Sequence, residues 1–271
     1  TLQACDAIAM ARHYHGWRRD KPDHRDLKLG KLASWFKALA SPPFVDLSTG
    51  KLPRIEDQSS LGSCTCNAGS SAVEHVAIRE QKTVIELSRL FPYYTTRVLV
   101  EHGSPSDDSG AENRGVIKAL AKYGICPETS WPYIVDKFAV VPPKPVFQEA
   151  LRLRVKTYQR CPTLNSIKAS LARGYVVLGG FSCPESIESE TTAKTGIIAL
   201  PEKDEPIIGG HAVLFVGYND STRMLKFENS WGTEWGDKGF GYLPYEYVTR
   251  GLADDFWVIS AVVDADAKEP V

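Results

Sequence analysis

The spacing of apolar residues changes along this chain, and the change limits the folds it can adopt. Up to about residue 159, apolar side chains recur every three or four positions, as on one face of a helix. Beyond it they form short β-branched or aromatic runs separated by Gly, Asn, Asp and Ser, which is typical of strands joined by turns. This order predicts an α+β fold with a helical lobe at about 58–159 and a β-rich lobe at about 160–265.

Several helices and strands can be placed from these patterns. Helices are predicted at 64–79, at 86–100 with Pro92 in the first turn or at a kink, at 112–123 before Gly124, and after a Thr163 cap. Strands are predicted at 175–182, 211–218, 223–230, 239–244 and 256–263.

Composition excludes several classes of protein. The 271 residues are 43% apolar and 24% charged, which is globular rather than disordered, and the net charge of −1 argues against a dedicated nucleic-acid binder. No apolar stretch approaches the ~18 residues of a membrane span. Residues 1–10 contain Asp6 and do not form an intact signal peptide, although one could already have been removed. We expect a monomer without nucleic-acid or membrane partners.

The first 43 residues differ from the rest. A charged, aromatic stretch precedes a helical pattern in which Asp26 is the candidate cap and Pro42–Pro43 the end. The apolar face of that helix consists of Leu29, Leu32, Phe36 and Leu39. A nearby cluster suggests metal binding but lacks matching carboxylate or Cys spacing, so no metal site is expected. Its members are His13, Tyr14, His15, Trp17 and His24.

Among six cysteines, Cys64 has the sequence context of a reactive thiol. It follows the turn Gly62–Ser63 and begins a predicted helix. The macrodipole and free backbone N–H groups at a helix N-terminus stabilise a thiolate, and the same N–H groups can hold an oxyanion. Gln58, six residues upstream, could add a further donor.

A candidate base lies in the β-rich half. His211 starts an apolar strand, and Asn229 ends the next one, so a hairpin would bring the Asn229 amide to the imidazole and fix its orientation. Trp231 could shield that hydrogen bond. Taken singly, a buried Cys is usually a core residue and a strand His a structural one. Their joint spacing, 211 − 64 = 147 and 229 − 64 = 165, favours a catalytic set.

At this point the chain resembles the papain-like cysteine peptidases, particularly their bacterial members, from about residue 45 to about 263. The matching segments are Gln58…Gly62-Ser63-Cys64, Gly124-Ile125 through Trp131-Pro132-Tyr133, Gly210-His211-Ala212-Val213, Asn229-Ser230-Trp231-Gly232, Trp235-Gly236 and Gly239 through Tyr242.

The resemblance implies a papain-like α+β fold of two lobes, one helical and one an antiparallel β-barrel, with the active site in the cleft between them. It assigns residues 44–271 to the peptidase domain. It makes Cys64 and His211 a thiolate–imidazolium pair that forms a thioester with a peptide substrate. Asn229 would orient the imidazole and Gln58 would stabilise the oxyanion. No metal or organic cofactor is expected.

Substrate contacts are also implied by the resemblance. Asp108-Ser109-Gly110-Ala111 is similar to the family's glycine-containing rim, which pairs with an extended peptide; the alternative is an ordinary acidic turn. Gly210 and Trp231 are further candidates, and Trp235 is either a cleft wall or core packing. Side-chain preference depends on residues distant in the chain, including part of 251–256.

Three positions depart from the family pattern. Leu61 stands where many members have a disulfide-forming Cys, Thr65 replaces a Trp, and Cys66 replaces a small residue. We expect Cys66 to face the core, the alternative being a redox partner for another thiol. With Cys64 free, five cysteines remain, so at most two disulfides can form within the chain, and their pairing stays open.

Residues 1–43 lie outside the mature family domain and resemble a pro-segment. We expect the helix at 29–39 to pack by its apolar face and the flanking chain to cover the cleft; a purely structural extension is the alternative. The resulting expectation is a secreted or extracytoplasmic endopeptidase precursor. An acyltransferase using the same residues, or a non-catalytic papain-fold binding protein, remains as an alternative.

Overall fold

The computed structural model describes residues 15–29, 41–50, 52–80 and 86–264. The predicted helix at 29–39 lies, apart from Leu29, outside these residues, and Leu29 itself is not helical. Within the described ranges, no helix is long and apolar enough to cross a membrane.

Seven α-helices are described, three of them before residue 125. They are α1 (Cys64–Arg79), α2 (Leu90–Tyr94), α3 (Asn113–Lys122), α4 (Lys144–Ala150), α5 (Leu164–Leu171), α6 (Glu190–Thr195) and α7 (Tyr245–Thr249). A π-helical stretch, Thr95–Val100, continues α2, and short 3-10 helices occur at Val135–Lys137 and Glu185–Glu188.

The strands form one large antiparallel sheet and one small parallel pair. They are β1 (Trp17–Arg18), β2 (Phe44–Asp46), β3 (Ala111–Glu112), β4 (Leu153–Arg160), β5 (Val177–Pro184), β6 (Ile207–Asn219), β7 (Met224–Glu228), β8 (Phe240–Pro244) and β9 (Ala253–Asp264). The large sheet runs β4-β9-β5-β6-β7-β8, with β2 paired to β6. The two-stranded sheet joins β1 to β3.

The longer predicted helices and strands are present, whereas several short elements and strand β4 were not predicted. Helix α1 has the predicted bounds, Pro92 lies in the first turn of α2, and Thr163 caps α5 by accepting the Ser166 N–H at 3.1 Å. Strand β4 was not predicted and lies in the stretch interpreted as mainly helical. It is an edge strand with little buried surface, so it shows only a weak apolar pattern.

Helix α1 packs between the other helices and the sheet, and this packing positions the site. On one side, the Cβ that Gly69 lacks would lie 2.6 Å from a Val116 methyl, so the glycine allows α3 to approach closely. On the other side, Leu214 and Val216 of β6 belong to the same apolar cluster as Val73 of α1. The N-terminus of α1 is therefore held against strand β6.

Two glycines that follow helices allow a test of close backbone packing after α3. Gly124 and Gly174 both have positive φ, +75° and +80°, but a Cβ on Gly124 would lie 1.9 Å from the Ala150 carbonyl oxygen. A Cβ on Gly174 would meet nothing closer than 3.8 Å. We expect Gly174→Ala to lower the free energy of unfolding by about 1–2 kcal/mol, the cost of the left-handed conformation. Gly124→Ala should lower it by about 1–3 kcal/mol more, because the backbone must move. Urea denaturation measures both, and equal losses would contradict the close contact.

Candidate active site

Cys64 is the first residue of α1 and is fully buried. Its sulfur accepts a hydrogen bond from the backbone N–H of Ala212 at 3.4 Å. Ala212 lies in β6, directly after His211. The contact therefore brings the N-terminus of the nucleophile helix together with the strand that carries the candidate base.

The predicted hairpin brings His211 and Asn229 together. Strands β6 and β7 pair antiparallel with Leu214 opposite Glu228, and His211 Nε2 donates to Asn229 Oδ1 at 2.7 Å. The indole of Trp231 stacks on the imidazole, with ring centroids 4.4 Å apart and planes tilted by 27°. With Nε2 protonated and bound, the other ring nitrogen, Nδ1, is the one that can exchange a proton.

Gln58 is held beside the turn that precedes Cys64. Its Nε2 donates to the carbonyl oxygen of Leu61 at 2.8 Å, and its Oε1 accepts from the Ser230 hydroxyl at 2.7 Å. Its backbone N–H also donates to the Ser230 carbonyl at 2.9 Å. The two lobes are thus joined at the residue predicted to stabilise the oxyanion.

Residues 15–20, here called the cleft segment, lie across this site. The Gly16 N–H acts to lower the pKa of the Cys64 thiol, and the Gly16 carbonyl accepts the Ala111 N–H at 2.8 Å. The Trp17 side chain is buried against Cys64 and Ala212. On the other side of Gly16, the His15 ring lies 6.2 Å from that of His211.

Glycines let the cleft segment approach so closely. A Cβ on Gly110 would lie 2.0 Å from the Gly16 carbonyl oxygen, and one on Gly210 would lie 2.6 Å from that of Trp17. A Cβ on Gly180 would lie 2.1 Å from the Trp17 indole. The predicted rim therefore does lie beside an extended backbone, and the space next to Cys64 accommodates an indole.

Ser109 and Trp235 are the two other residues predicted to contact substrate. The Ser109 hydroxyl donates to the Gly110 carbonyl at 3.3 Å, within its own loop. Trp235 is buried in the core of the β-rich lobe, edge-on to Trp231 with centroids 5.1 Å apart. Trp235 thus packs against Trp231 from the core side, and its contact with substrate stays a prediction.

Asp20 anchors the end of the cleft segment. Its carboxylate accepts from the Arg114 backbone N–H at 3.0 Å and from the Trp257 indole at 2.9 Å, while its own N–H donates to Asp255. Burial raises the pKa of Asp20 and raises that of Asp255 to about 7. Asp26, the candidate helix cap, instead binds Arg114 through two hydrogen bonds.

A family model described as papain family cysteine protease matches residues 41–255. The chain belongs to the papain family of cysteine proteases. It is 36% identical to the "uncharacterized peptidase C1-like protein L477" of Acanthamoeba polyphaga mimivirus, over 96% of this chain and 90% of that protein. It is 26% identical to cysteine proteinase 1 of Entamoeba histolytica, over 80% of this chain and 68% of that protein.

A solved structure supports the same assignment. Xylellain, a cysteine protease from Xylella fastidiosa, superposes with a TM-score of 0.83 at 34% identity, over 91% of this chain and 96% of xylellain. The predicted papain-like two-lobe α+β fold, with its helical lobe and antiparallel β-rich lobe, is therefore confirmed, as is the bacterial-type resemblance. The chain is a papain-family cysteine peptidase, and hence a hydrolase.

In this papain-family chain the nucleophile candidate is covered. Burial raises the pKa of Cys64 to about 11, although the backbone N–H groups of Ala212, Gly16 and Thr65 act in the opposite direction. The helix N-terminus was expected to favour the thiolate. With the cleft segment in place, loss of water outweighs the favourable N–H groups.

The other described cysteines have structural positions. Cys66, Cys126, Cys161 and Cys183 are free and buried, so no disulfide forms among the cysteines in the described ranges; Cys5 lies outside them. Cys66 faces the core of the helical lobe, as predicted. The same ranges contain no group of three or more His, Cys, Asp or Glu that could hold a metal, and His13 lies outside them.

Sequence reasoning missed several residues that connect the site. The Ser230 hydroxyl holds Gln58, and the Tyr133 hydroxyl donates to the Gln58 carbonyl at 2.8 Å. Glu228 binds side chains of α1. Strand alternation alone did not identify Glu228, because its pairing with Leu214, which places it on the face toward α1, is visible only in the structure.

Displacing the cleft segment should make Cys64 reactive. A Cβ on Gly16 would lie 1.8 Å from the Gly62 carbonyl oxygen, so Gly16→Val should not fit the cleft. We expect Cys64 of Gly16→Val to react with iodoacetamide at pH 7.5 at least about tenfold faster than in the parent chain, with a lower apparent pKa.

Two controls define that experiment. Lys21→Ala alters an exposed side chain just beyond the cleft segment and should leave the alkylation rate unchanged. Cys64→Ala gives the background from the other thiols. Unchanged rates and pKa in Gly16→Val would contradict the covering role assigned to the segment.

Proposed function

We propose that this chain is a cysteine endopeptidase, made as a precursor whose cleft segment blocks the active site. The observation that carries the proposal is the hydrogen bond of 2.7 Å between His211 and Asn229. His211 lies in strand β6, and the backbone N–H of the next residue, Ala212, binds the Cys64 sulfur. An imidazole held by an amide, on the strand that contacts the thiol, supports a thiol nucleophile with an oriented base.

The chemistry follows from these positions. The Cys64 thiolate attacks the scissile carbonyl, and the Cys64 N–H and the Gln58 amide stabilise the resulting oxyanion. The His211 imidazolium then protonates the leaving amine as the C–N bond breaks, leaving a thioester on Cys64. Neutral His211 takes a proton from water, which attacks the thioester and releases the acid. Asn229 keeps the imidazole oriented throughout.

Cleavage within a chain, rather than at its end, is supported by the path of the cleft segment. The backbone passes over the Cys64 sulfur at Gly16 and continues on both sides, toward Trp231 in one direction and along β3 in the other. A substrate following the same groove can therefore extend beyond the scissile bond in both directions.

Substrate contacts are proposed from the same path. Gly110 and Ala111 of the rim would hold the substrate backbone, as they hold Gly16, and Ser109 supports that loop. Gly210 would border the space now filled by Trp17, where a substrate side chain would enter. Trp231, backed by Trp235, would line the leaving-group side.

The cleft segment is oriented so that it escapes cleavage. The Gly16 N–H acts on the sulfur, while the Gly16 carbonyl is bound by the Ala111 N–H. The residue on its N-terminal side, His15, lies next to His211 and Trp231, where the leaving amine of a substrate would be protonated. The segment therefore runs opposite to a cleavable peptide and supports its assignment as a built-in inhibitor.

The remaining parts of the proposal follow from the precursor organisation. Residues 1–43 would form the pro-segment and residues 44–271 the peptidase domain. Action outside the cytoplasm, a monomeric state and the absence of a cofactor stay predictions.

Removing the thiol should abolish turnover. We expect Cys64→Ala, made in the Gly16→Val chain, to lower kcat for peptide hydrolysis by at least about 1,000-fold with an unchanged circular dichroism spectrum. Asn229→Ala should be milder, about 10- to 100-fold, because the thiol and imidazole both remain. Peptidase activity retained without Cys64 would exclude the mechanism.

The same assay separates the alternative activities. Added amine should not divert the acyl group from water at moderate concentration, whereas amide as the main product would indicate an acyltransferase. Alkylation of Cys64 no faster than that of the other thiols, together with no cleavage, would indicate a binding protein.

The inhibitory role predicts that the segment acts in trans. A synthetic peptide of residues 12–24 should inhibit peptide hydrolysis by Gly16→Val competitively, since it would refill the same cleft. The matched control carries Trp17→Ala, which removes the indole buried against Cys64 and should raise the inhibition constant at least about tenfold. Equal potency of the two peptides, or no inhibition, would favour a structural extension.

A further inference from the structure

We propose that Glu228 is a positioning residue, whose carboxylate ties the strand end carrying Asn229 to the helix that begins at Cys64. The inference rests on the proposed function, because it concerns the geometry of the same catalytic set. It assigns a role to a residue that touches neither substrate nor thiol.

Both carboxylate oxygens of Glu228 are bound by α1. The Ser71 hydroxyl donates to Oε1 at 2.5 Å, and His75 Nε2 donates to Oε2 at 3.2 Å. Ser71 and His75 are four residues apart, and Ser71 is seven residues beyond Cys64, so all three lie along one face of the helix. The carboxylate therefore holds the face of α1 that ends at the thiol.

Three successive residues connect three parts of the site. Glu228 holds α1, Asn229 accepts from His211, and the Ser230 hydroxyl binds Gln58. A shift of Glu228 would move its covalent neighbour Asn229 and, through it, the imidazole. Because a displacement of about 1 Å in a catalytic group can cost about 100-fold in rate, this connection bears directly on turnover.

Stability alone does not account for a carboxylate at this position. Glu228 is 6% exposed and pairs with the apolar Leu214 on the sheet face covered by α1. A buried carboxylate gives up its hydration, and a well-packed apolar side chain would hold the same interface at least as well. What the carboxylate adds is direction, since two hydrogen bonds fix α1 relative to β7 along and across the helix axis.

The space beside Glu228 is consistent with a directed contact. A cavity of about 10 Å³, room for one water molecule at most, separates Ala68 and Ser71 from Asn229. The hydrogen bond from Ser71 to Glu228 crosses the interface at the edge of this cavity. The ionisable groups nearest to it on α1 are His75, which binds it, and Glu74, which instead accepts the Leu87 N–H.

The test uses two substitutions in the Gly16→Val chain. Glu228→Leu removes both hydrogen bonds at similar volume, and Ser71→Ala removes one of them from the helix side. We expect kcat to fall about 30- to 100-fold for Glu228→Leu and about tenfold for Ser71→Ala, with KM changed less than about threefold. Glu228→Gln keeps an acceptor for Ser71 and should retain kcat within about fivefold.

Coupling and a remote control show whether the effect is specific. The double variant Ser71→Ala/Glu228→Leu should be no slower than Glu228→Leu alone, since both remove the same bond. Asp220→Asn weakens a hydrogen-bonded ion pair with Lys168 in the same lobe, away from the site, and should leave kcat within twofold. Unchanged kcat in both Ser71→Ala and Glu228→Leu, or a fall only in melting temperature, would overturn the proposal.

A second readout is independent of peptide hydrolysis. The rate of Cys64 alkylation at pH 6, relative to pH 9, reports how well His211 supports the thiolate. We expect this ratio to fall about tenfold in Glu228→Leu and to be restored in Glu228→Gln. If no variant hydrolyses peptides but the ratio falls as stated, the proposed function fails and the positioning role stands. An unchanged ratio would overturn the positioning role. If Glu228→Leu does not fold, Ser71→Ala, which deletes a single oxygen, decides the same question.

Discussion

The site depends on the seating of the N-terminus of α1 against strand β6. The Ala212 N–H reaches the Cys64 sulfur at 3.4 Å, and this contact joins two parts of the chain 148 residues apart. Apolar packing between α1 and β6 holds the approach in place, while hydrogen bonds from Ser230 to Gln58 and from Ser71 to Glu228 fix the register. The position of Cys64 relative to His211 is therefore set by the interface between the lobes.

The cleft segment uses the same interface. It places a backbone amide on the sulfur and an indole beside it, and it removes water from both. Desolvation then raises the pKa of the thiol that the helix N-terminus would otherwise lower. In the covered form, the exclusion of water from the sulfur therefore outweighs the backbone N–H groups that favour the thiolate.

Local patterns predicted many of the elements, and motif spacing with the family resemblance predicted the candidate site residues. Helix α1 begins at Cys64 as its apolar face predicted, and the pairing of β6 with β7 brought Asn229 to His211 as the hairpin required. Edge strand β4 was missed, because Val155 is its only buried residue and the apolar alternation is weak. Glu228 was missed because its role depends on its contacts with Ser71 and His75 of α1. Those contacts could not be inferred without the strand register.

The sequence by itself indicated the α+β class through local periodicity. Motif spacing and the resemblance to papain-like peptidases indicated the family and the four candidate residues Gln58, Cys64, His211 and Asn229. Only the tertiary structure decided that Gly16 and Trp17 fill the cleft and that Cys64 is fully buried. It also decided that Ser71 and His75 form hydrogen bonds with Glu228. Those features are contacts between residues far apart in the chain. Their existence depends on how two lobes pack, which no short stretch of sequence encodes.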